Sequence, residues 1–454
     1  MEAKSASSYF PFLRSCKEET DLPIEGEAKG EIPRWLKGSL IRIGSGLLEV
    51  GPDHFNHIFD GLALMHKFSF QDGKVTYQNK FLRSDTYRQN MKANRIVVNE
   101  FSTPAIPDPC KTIFQRFSSL FTDEMTDNDL VNIVMFSEEA YACSETNCIW
   151  KIDPVTLDSI KKVKLSDFVP VNAAIAHPHE EKDGTVYNVG STHSFWPVYK
   201  ILKFPPKGNK DESPFQKGSV ICSIPTSRRF NASYIHSFGM TENYIIFVEQ
   251  PLYVYIPKIV KVHFFGGGRY SDALHWDESK QALFHVVRKS DGKLLKTQYA
   301  AKAFYMFHHI NAYEEDGHLI VDLCTYESGE IIQALYVKAL EEMFENLQND
   351  SVNNFKTRTA RYVLPLDVDD TEKDKNLIKL CNSKATAVVQ KDGSIFCTPE
   401  ILAGVVLASL LYTDDKNKVS LLVLNAKTME EIGRVTFITK SSVPADFHGT
   451  FIPS

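Results

Sequence analysis

The sequence predicts an all-β fold, on three observations. Asp-Gly pairs separate strand-like runs at Asp72-Gly73, Asp183-Gly184, Asp291-Gly292, Asp316-Gly317 and Asp392-Gly393. Asp-Gly accepts the positive φ angles of a two-residue turn, so each pair reads as a hairpin. Next, "KIDPVTLDSIKKV" (151–163) and "VLNAKTMEEIGRV" (423–435) share one plan: strand, Asp or Asn, two spacers, Thr, polar strand. Finally, helical periodicity is sparse. Many short strands with regular turns fit a sandwich, barrel or propeller, and units of blade size favour the propeller.

Taken in order, the elements begin with residues 1–25, an N-terminal extension of one domain spanning 1–454. It has no uninterrupted apolar run, and Glu2, Glu18, Glu19 and Asp21 argue against a signal or transit peptide. A cytoplasmic location is therefore expected, with a mitochondrial one as the alternative. "HKFSF" and "KVTYQ" flank the first turn, "LFHVVRK" and "KLLKTQY" the third, and "NAYEE" and "HLIVDLC" the fourth. In 110–122, Ile113, Phe114, Phe117, Leu120 and Phe121 fall on one helical face. That face packs on the core or lies in a membrane surface. The apolar stretch 251–268, broken by Pro and Gly, reads as a strand and loop or as part of the same patch. Residues 337–348 have helical spacing.

Composition excludes some functions. The net charge of −6 carries no long basic run, so nucleic acid is not an expected partner. Eight cysteines include no CxxC pair, which fits free thiols better than a disulfide framework or a thiolate zinc site.

Four of the 14 histidines stand in apolar or aromatic surroundings: His177 in "IAHPH", His236 in "SYIHSFGM", His308 in "MFHHINAY" and His448 in "ADFHGTF". A buried imidazole needs a hydrogen-bond partner or a metal. Spread along the chain, they can come from different blades and meet on an axis. The spacing alone does not decide this, because no compact ligand motif is present.

The residues around them carry a resemblance. "GEIPRWLKGSLIRIGSGLLEVG" (30–51), "HIFDGLALMHKF" (57–68), "RSDTY", "NRIVVNEF", "PDPCKTIF", "CSETN", "AHPHEEKDGTVYN", "YIHSFGMTENYIIFVEQP", "FHHINAYEEDG", "RYVLPL" and "FHGTF" resemble the carotenoid cleavage oxygenases. That family also contains the retinoid isomerase of the vertebrate eye. The resemblance implies a seven-bladed β-propeller with a helical cap and an axial Fe(2+) held by His177, His236, His308 and His448. Glu145 in "CSETN" would orient one ligand imidazole. His179 and His309 would be neighbours rather than ligands. Motif matching implies Phe59, Phe101, Tyr234 and Tyr326 as substrate-lining residues. Cys110 matches a position acylated in relatives, although a free buried thiol is the simpler reading.

The sequence also departs from the family. In relatives, dozens of residues separate a run like "TPEILA" from one like "GVVLASLL", and they carry two more orienting glutamates. Here Ala403 runs straight into Gly404, as if about one blade were absent. "RIGSG" (42–46) also replaces the usual Asn-Gly-Pro-Gly. The implied function is oxidative cleavage of a carotenoid double bond with O2 at a peripheral membrane surface. Retinoid isomerisation and carotenoid or retinoid binding without turnover are the alternatives. The missing segment predicts weak iron binding and poor cleavage by the chain as written.

Overall fold

The computed structural model of the chain describes residues 6–107, 126–194, 196–265, 268–348, 357–368, 375–402, 415–425 and 428–454. The protein is mostly β, with 45% strand and 11% helix, and its described strands form eight sheets of two to six strands. Among the described residues no sheet closes on itself. The helix predicted over 110–122, Cys110 and the 403/404 junction lie outside the described residues.

The two ends of the chain are joined by non-local ladders. Gly38–Leu47 pairs with Leu62–Gln71 on one side and with the C-terminal His448–Pro453 on the other, from Gly38↔Pro453 to Ile43↔His448. Glu27–Gly30 pairs with Glu431–Ile438. Residues of the N-terminal extension join in: Cys16 is buried, Arg14 Nη1 donates to the Val443 carbonyl over 3.3 Å, and Ile24–Glu25 pairs with Lys74–Phe81. Inward-facing Ile41, Ile43, Ala63 and Met65 pack with Ile133 and Trp150 of the next sheet. Each large side chain buried this way contributes about 1.5–3 kcal/mol.

Among the described residues one pairing is parallel, Tyr299–Ala301 with Ile395–Thr398. The chain between them builds most of the neighbouring sheet, Tyr305–Glu315, His318–Tyr326 and Thr357–Pro365, before returning. A parallel pair needs such a crossover, whereas hairpins give antiparallel pairs.

The turns are of two kinds. Asp72 and Gly73 (φ 50° and 81°) and Asp316 and Gly317 (φ 43° and 75°) are two-residue hairpin turns, as expected. At 184, 292 and 393 only the glycine has positive φ (82°, 66° and 86°), as in a type I turn closed by a left-handed residue. "KLLKTQY" does not form the strand expected of it: Leu294 makes one bridge to Val287, and the next strand is Tyr299–Ala301. The two related segments do share a turn. Leu157 N donates to Asp153 O (2.8 Å) and Met429 N to Asn425 O (2.7 Å), with both Leu157 and Met429 at φ 59°.

Val337–Gln348 is helical, as predicted. Within 251–268, a strand Leu252–Tyr255 leads into a helix, Ile256–Phe265, where strand and loop were expected. Pro257 sits in its first turn, where no intrahelical N–H is needed. A further helix, Asp85–Ala93, was not anticipated, although Ser84 caps it by accepting from Tyr87 N and Asn94 ends it in the left-handed region.

Candidate metal centre

Four elements from different parts of the fold each present one imidazole. His177 follows the short strand Ala173–Ala174, and His236 lies between Asn231–Ser233 and Gly239–Met240. His308 sits on Tyr305–Glu315 where the ladder register shifts between Met306 and His309, and His448 opens the last strand opposite Ile43. A bulge re-aims a side chain that a regular strand would send elsewhere.

One ring nitrogen from each of the four lies within 4.8 Å of the others, so the group could hold a metal ion. Nε2 of His177 is 2.9 Å from Nε2 of His236, which is 3.1 Å from Nε2 of His308, which is 3.2 Å from Nε2 of His448. Imidazole–metal bonds of about 2.1 Å place adjacent ligand nitrogens about 3 Å apart, so the spacing fits one ion. The donor chemistry agrees. Glu145 Oε1 lies 2.5 Å from His236 Nδ1, which places the ring proton there and leaves Nε2 as a bare acceptor facing two other Nε2 atoms. A cation among those lone pairs turns repulsion into ligation.

The charge states suit ligation too. Burial lowers the basicity of His177, His308 and His448, with His308 brought down to about 2 and His448 to about 4. Neighbouring imidazoles add to the effect, and the rings are neutral at pH 7 with lone pairs free. Tyr234 donates its hydroxyl to Glu145 Oε1 over 2.9 Å. Among the described residues no carboxylate meets Nδ1 of His177, His308 or His448. His179 and His309 stand apart from the four: His179 Nε2 is 2.9 Å from the Phe238 carbonyl, and His309 Nδ1 is 3.0 Å from Ser237 Oγ.

The centre opens on a cavity of about 410 Å³. Phe59, Phe101 and Tyr234 line it together with His236, His308, His448 and Glu145. Tyr326 is outside the wall and packs 6.1 Å, ring to ring, from the lining Phe307. Sequence reasoning missed Phe307 and Phe447, each of which directly precedes one of the four clustered histidines and lines the cavity. It also missed Glu100, one residue before Phe101 in "NEF".

The sequence profile of the family described as "Retinal pigment epithelial membrane protein" matches residues 13–397 and 402–453. The chain is 44% identical over 403 residues to the "Carotenoid-cleaving dioxygenase, mitochondrial" of Macaca fascicularis, covering 86% of this chain and 71% of the relative. It is 37% identical to the "Beta,beta-carotene 15,15'-dioxygenase" of Gallus gallus, covering 96% of this chain and 97% of the relative. That alignment runs over 515 positions, more than the 454 residues of the chain, so the relative carries residues with no counterpart here. The crystal structure of cobalt-substituted Synechocystis apocarotenoid oxygenase shares the fold, with a TM-score of 0.71 at 19% identity over 99% of each chain. With the four-histidine centre at the edge of an apolar cavity, these matches make the chain a member of the retinal pigment epithelial membrane protein family, the carotenoid cleavage oxygenases.

Proposed function

We propose that the chain is an Fe(2+)-dependent dioxygenase that cleaves one carbon–carbon double bond of a carotenoid into two carbonyl products. The observation that carries this is the convergence of four imidazoles on the edge of an aromatic cavity. Imidazole donors suit iron, and His177, His236, His308 and His448 would hold it. When bound, iron supplies the redox chemistry that activates O2 toward the polyene. The residues do the rest. Glu145 and Tyr234 hold the His236 ring, while Phe59, Phe101, Phe307 and Phe447 exclude water and grip an apolar chain. Adding O2 across a C=C bond to give two C=O groups moves no proton, so the site needs no general acid or base at the scissile bond. Turnover of β-carotene with Fe(2+) and O2, read as aldehyde products by chromatography, tests the proposal; no product with iron bound would overturn it.

We read the described sheets as the blades of a propeller of the seven-bladed kind, shortened near the C-terminus, with the cavity under a helical cap. The break in the family match at 398–401, beside Ala403 and Gly404, supports that shortening. A membrane surface as partner is supported by Ile256–Phe265: Ile256 and Ile259 line the cavity, while Val260 and Phe264, each 42% exposed, face out. No described helix is long and apolar enough to cross a membrane. The relative named mitochondrial supports that location over the cytoplasm. A binding role without turnover is favoured by one observation, the lack of a carboxylate at His308 and His448 among the described residues.

A further inference from the structure

The cavity wall carries two carboxyl groups, Glu145 and Glu100. Glu145 is committed to His236 and Tyr234. Glu100 is not committed to the metal centre. It is 2% exposed, and its Oε1 accepts from the Thr126 hydroxyl over 2.7 Å. Among the described residues Oε2 has no hydrogen-bond partner. Burial, then the nearby carboxyls of Asp60, Asp127 and Asp129, push the Glu100 carboxyl well above the usual range, which favours its protonated form. The nearby cations are spent on the other acids: Arg269 acts on Asp60, and Lys162 lies 3.4 Å from Asp127. Tyr270, which lines the same cavity near Glu100, has its hydroxyl 3.3 Å from His263 Nδ1. Oε2 is thus available for a hydrogen bond, in a cavity wall that also carries Phe101, Ile256, Ile259 and Leu274.

We propose that Glu100 is a specificity-determining residue, donating a hydrogen bond from Oε2 to an oxygen on the end group of the polyene. The inference rests on the reading of the cavity as a polyene site. A buried donor left without an acceptor is costly, and a hydroxyl or carbonyl on the substrate removes that cost. Sites built to hydrogen-bond a substrate oxygen reject the analogue that lacks it, whereas apolar walls discriminate weakly. An oxygenated polyene is thus preferred over its hydrocarbon counterpart.

Equilibrium binding of β-carotene and of its 3-hydroxylated analogue, followed by absorbance shift in detergent micelles, tests this on the full chain. The wild-type protein should bind the hydroxylated probe about tenfold more tightly or better. Glu100→Gln, whose amide also donates and can still accept from Thr126, should keep the preference. Glu100→Leu should bind both probes alike, and Glu100→Met carries the same test if the leucine variant does not fold. A wild type without preference, or an apolar variant that keeps it, overturns the proposal. Because the readout is binding, an intact preference without cleavage counts against the dioxygenase reading and not against the role of Glu100.

Discussion

Glu145 holds His236 from the Nδ1 side at 2.5 Å, and this contact sets which nitrogen faces the centre. Such partners orient a ligand and raise its basicity, so Glu145→Gln should lower iron affinity about 10–100-fold in a chelator competition. Replacing His177, His236, His308 or His448 by Ala should strip most of the iron, measured by metal analysis. His179→Ala and His309→Ala should keep it, since neither ring belongs to the cluster. A second expectation concerns Asp60, which accepts from Ser102 N and the Thr103 hydroxyl in full burial. Burial pushes its carboxyl up to about 7, well above the 3.8 of a free side chain. The folded state holds that proton more tightly than the unfolded one, so the stabilisation is complete below about pH 4 and is lost as pH rises through 7. Melting temperature should therefore fall less between pH 5 and pH 8 in Asp60→Asn than in the wild type. An equal fall in both would show that Asp60 does not titrate in this range.

The helix Ile256–Phe265 joins cavity and surface at the level of a single element. Its inner residues line the cavity and its outer residues meet solvent, an arrangement that under the proposed function suits uptake of a substrate dissolved in lipid. Val260→Ser with Phe264→Ser should move the protein from liposomes to the soluble fraction. Phe114, Phe117 and Phe121, changed together to Ser, should do the same if their one-sided face lies on the membrane. Unaltered liposome binding in both variants would place the docking surface elsewhere. Two of the helices that were not foreseen differ in what could be read. Ser84 and Asn94 bracket Asp85–Ala93 with recognisable caps, whereas Ile256–Phe265 has β-branched residues that local propensity assigns to a strand. The hairpins at Asp72-Gly73 and Asp316-Gly317 were legible because Asp-Gly satisfies both left-handed positions locally. "KLLKTQY" pairs as a strand only from its last residue, Tyr299, because the ladder to Ala282–Phe284 starts there, and no local pattern encodes that register.

At the scale of the whole molecule, the family match breaks at 398–401 and the Gallus gallus relative aligns over more positions than this chain has. His308 and His448 have no orienting carboxylate among the described residues, and freely turning ligands weaken a site that needs them held within roughly 10–20°. Inserting a relative's segment between Ala403 and Gly404 should raise both iron affinity and carotenoid turnover. Equal turnover of β-carotene by the original and the repaired chain would make the absent glutamates dispensable. The ladder that joins Gly38–Leu47 to His448–Pro453 ties the two ends of the described fold together. A destabilising substitution there, such as Ile43→Ala at a fully buried position, should cost about 2–5 kcal/mol in denaturant unfolding and release iron along with the C-terminal strand.

By itself the sequence determined that the protein is mostly β, where two of its tight hairpins lie, and which four histidines belong together. These follow from turn chemistry, from alternation and from long ordered motifs, all of which are local. Only the tertiary structure decided that Glu145 serves His236 rather than another ring, that Phe307 and Phe447 share the cavity wall, and that Tyr326 stands behind it. It alone placed Glu100 in that wall with one oxygen unpaired. The physical reason is sequence separation. Glu145 meets His236 across 91 positions and His308 meets His448 across 140, and pairings of that range are set by how whole sheets pack.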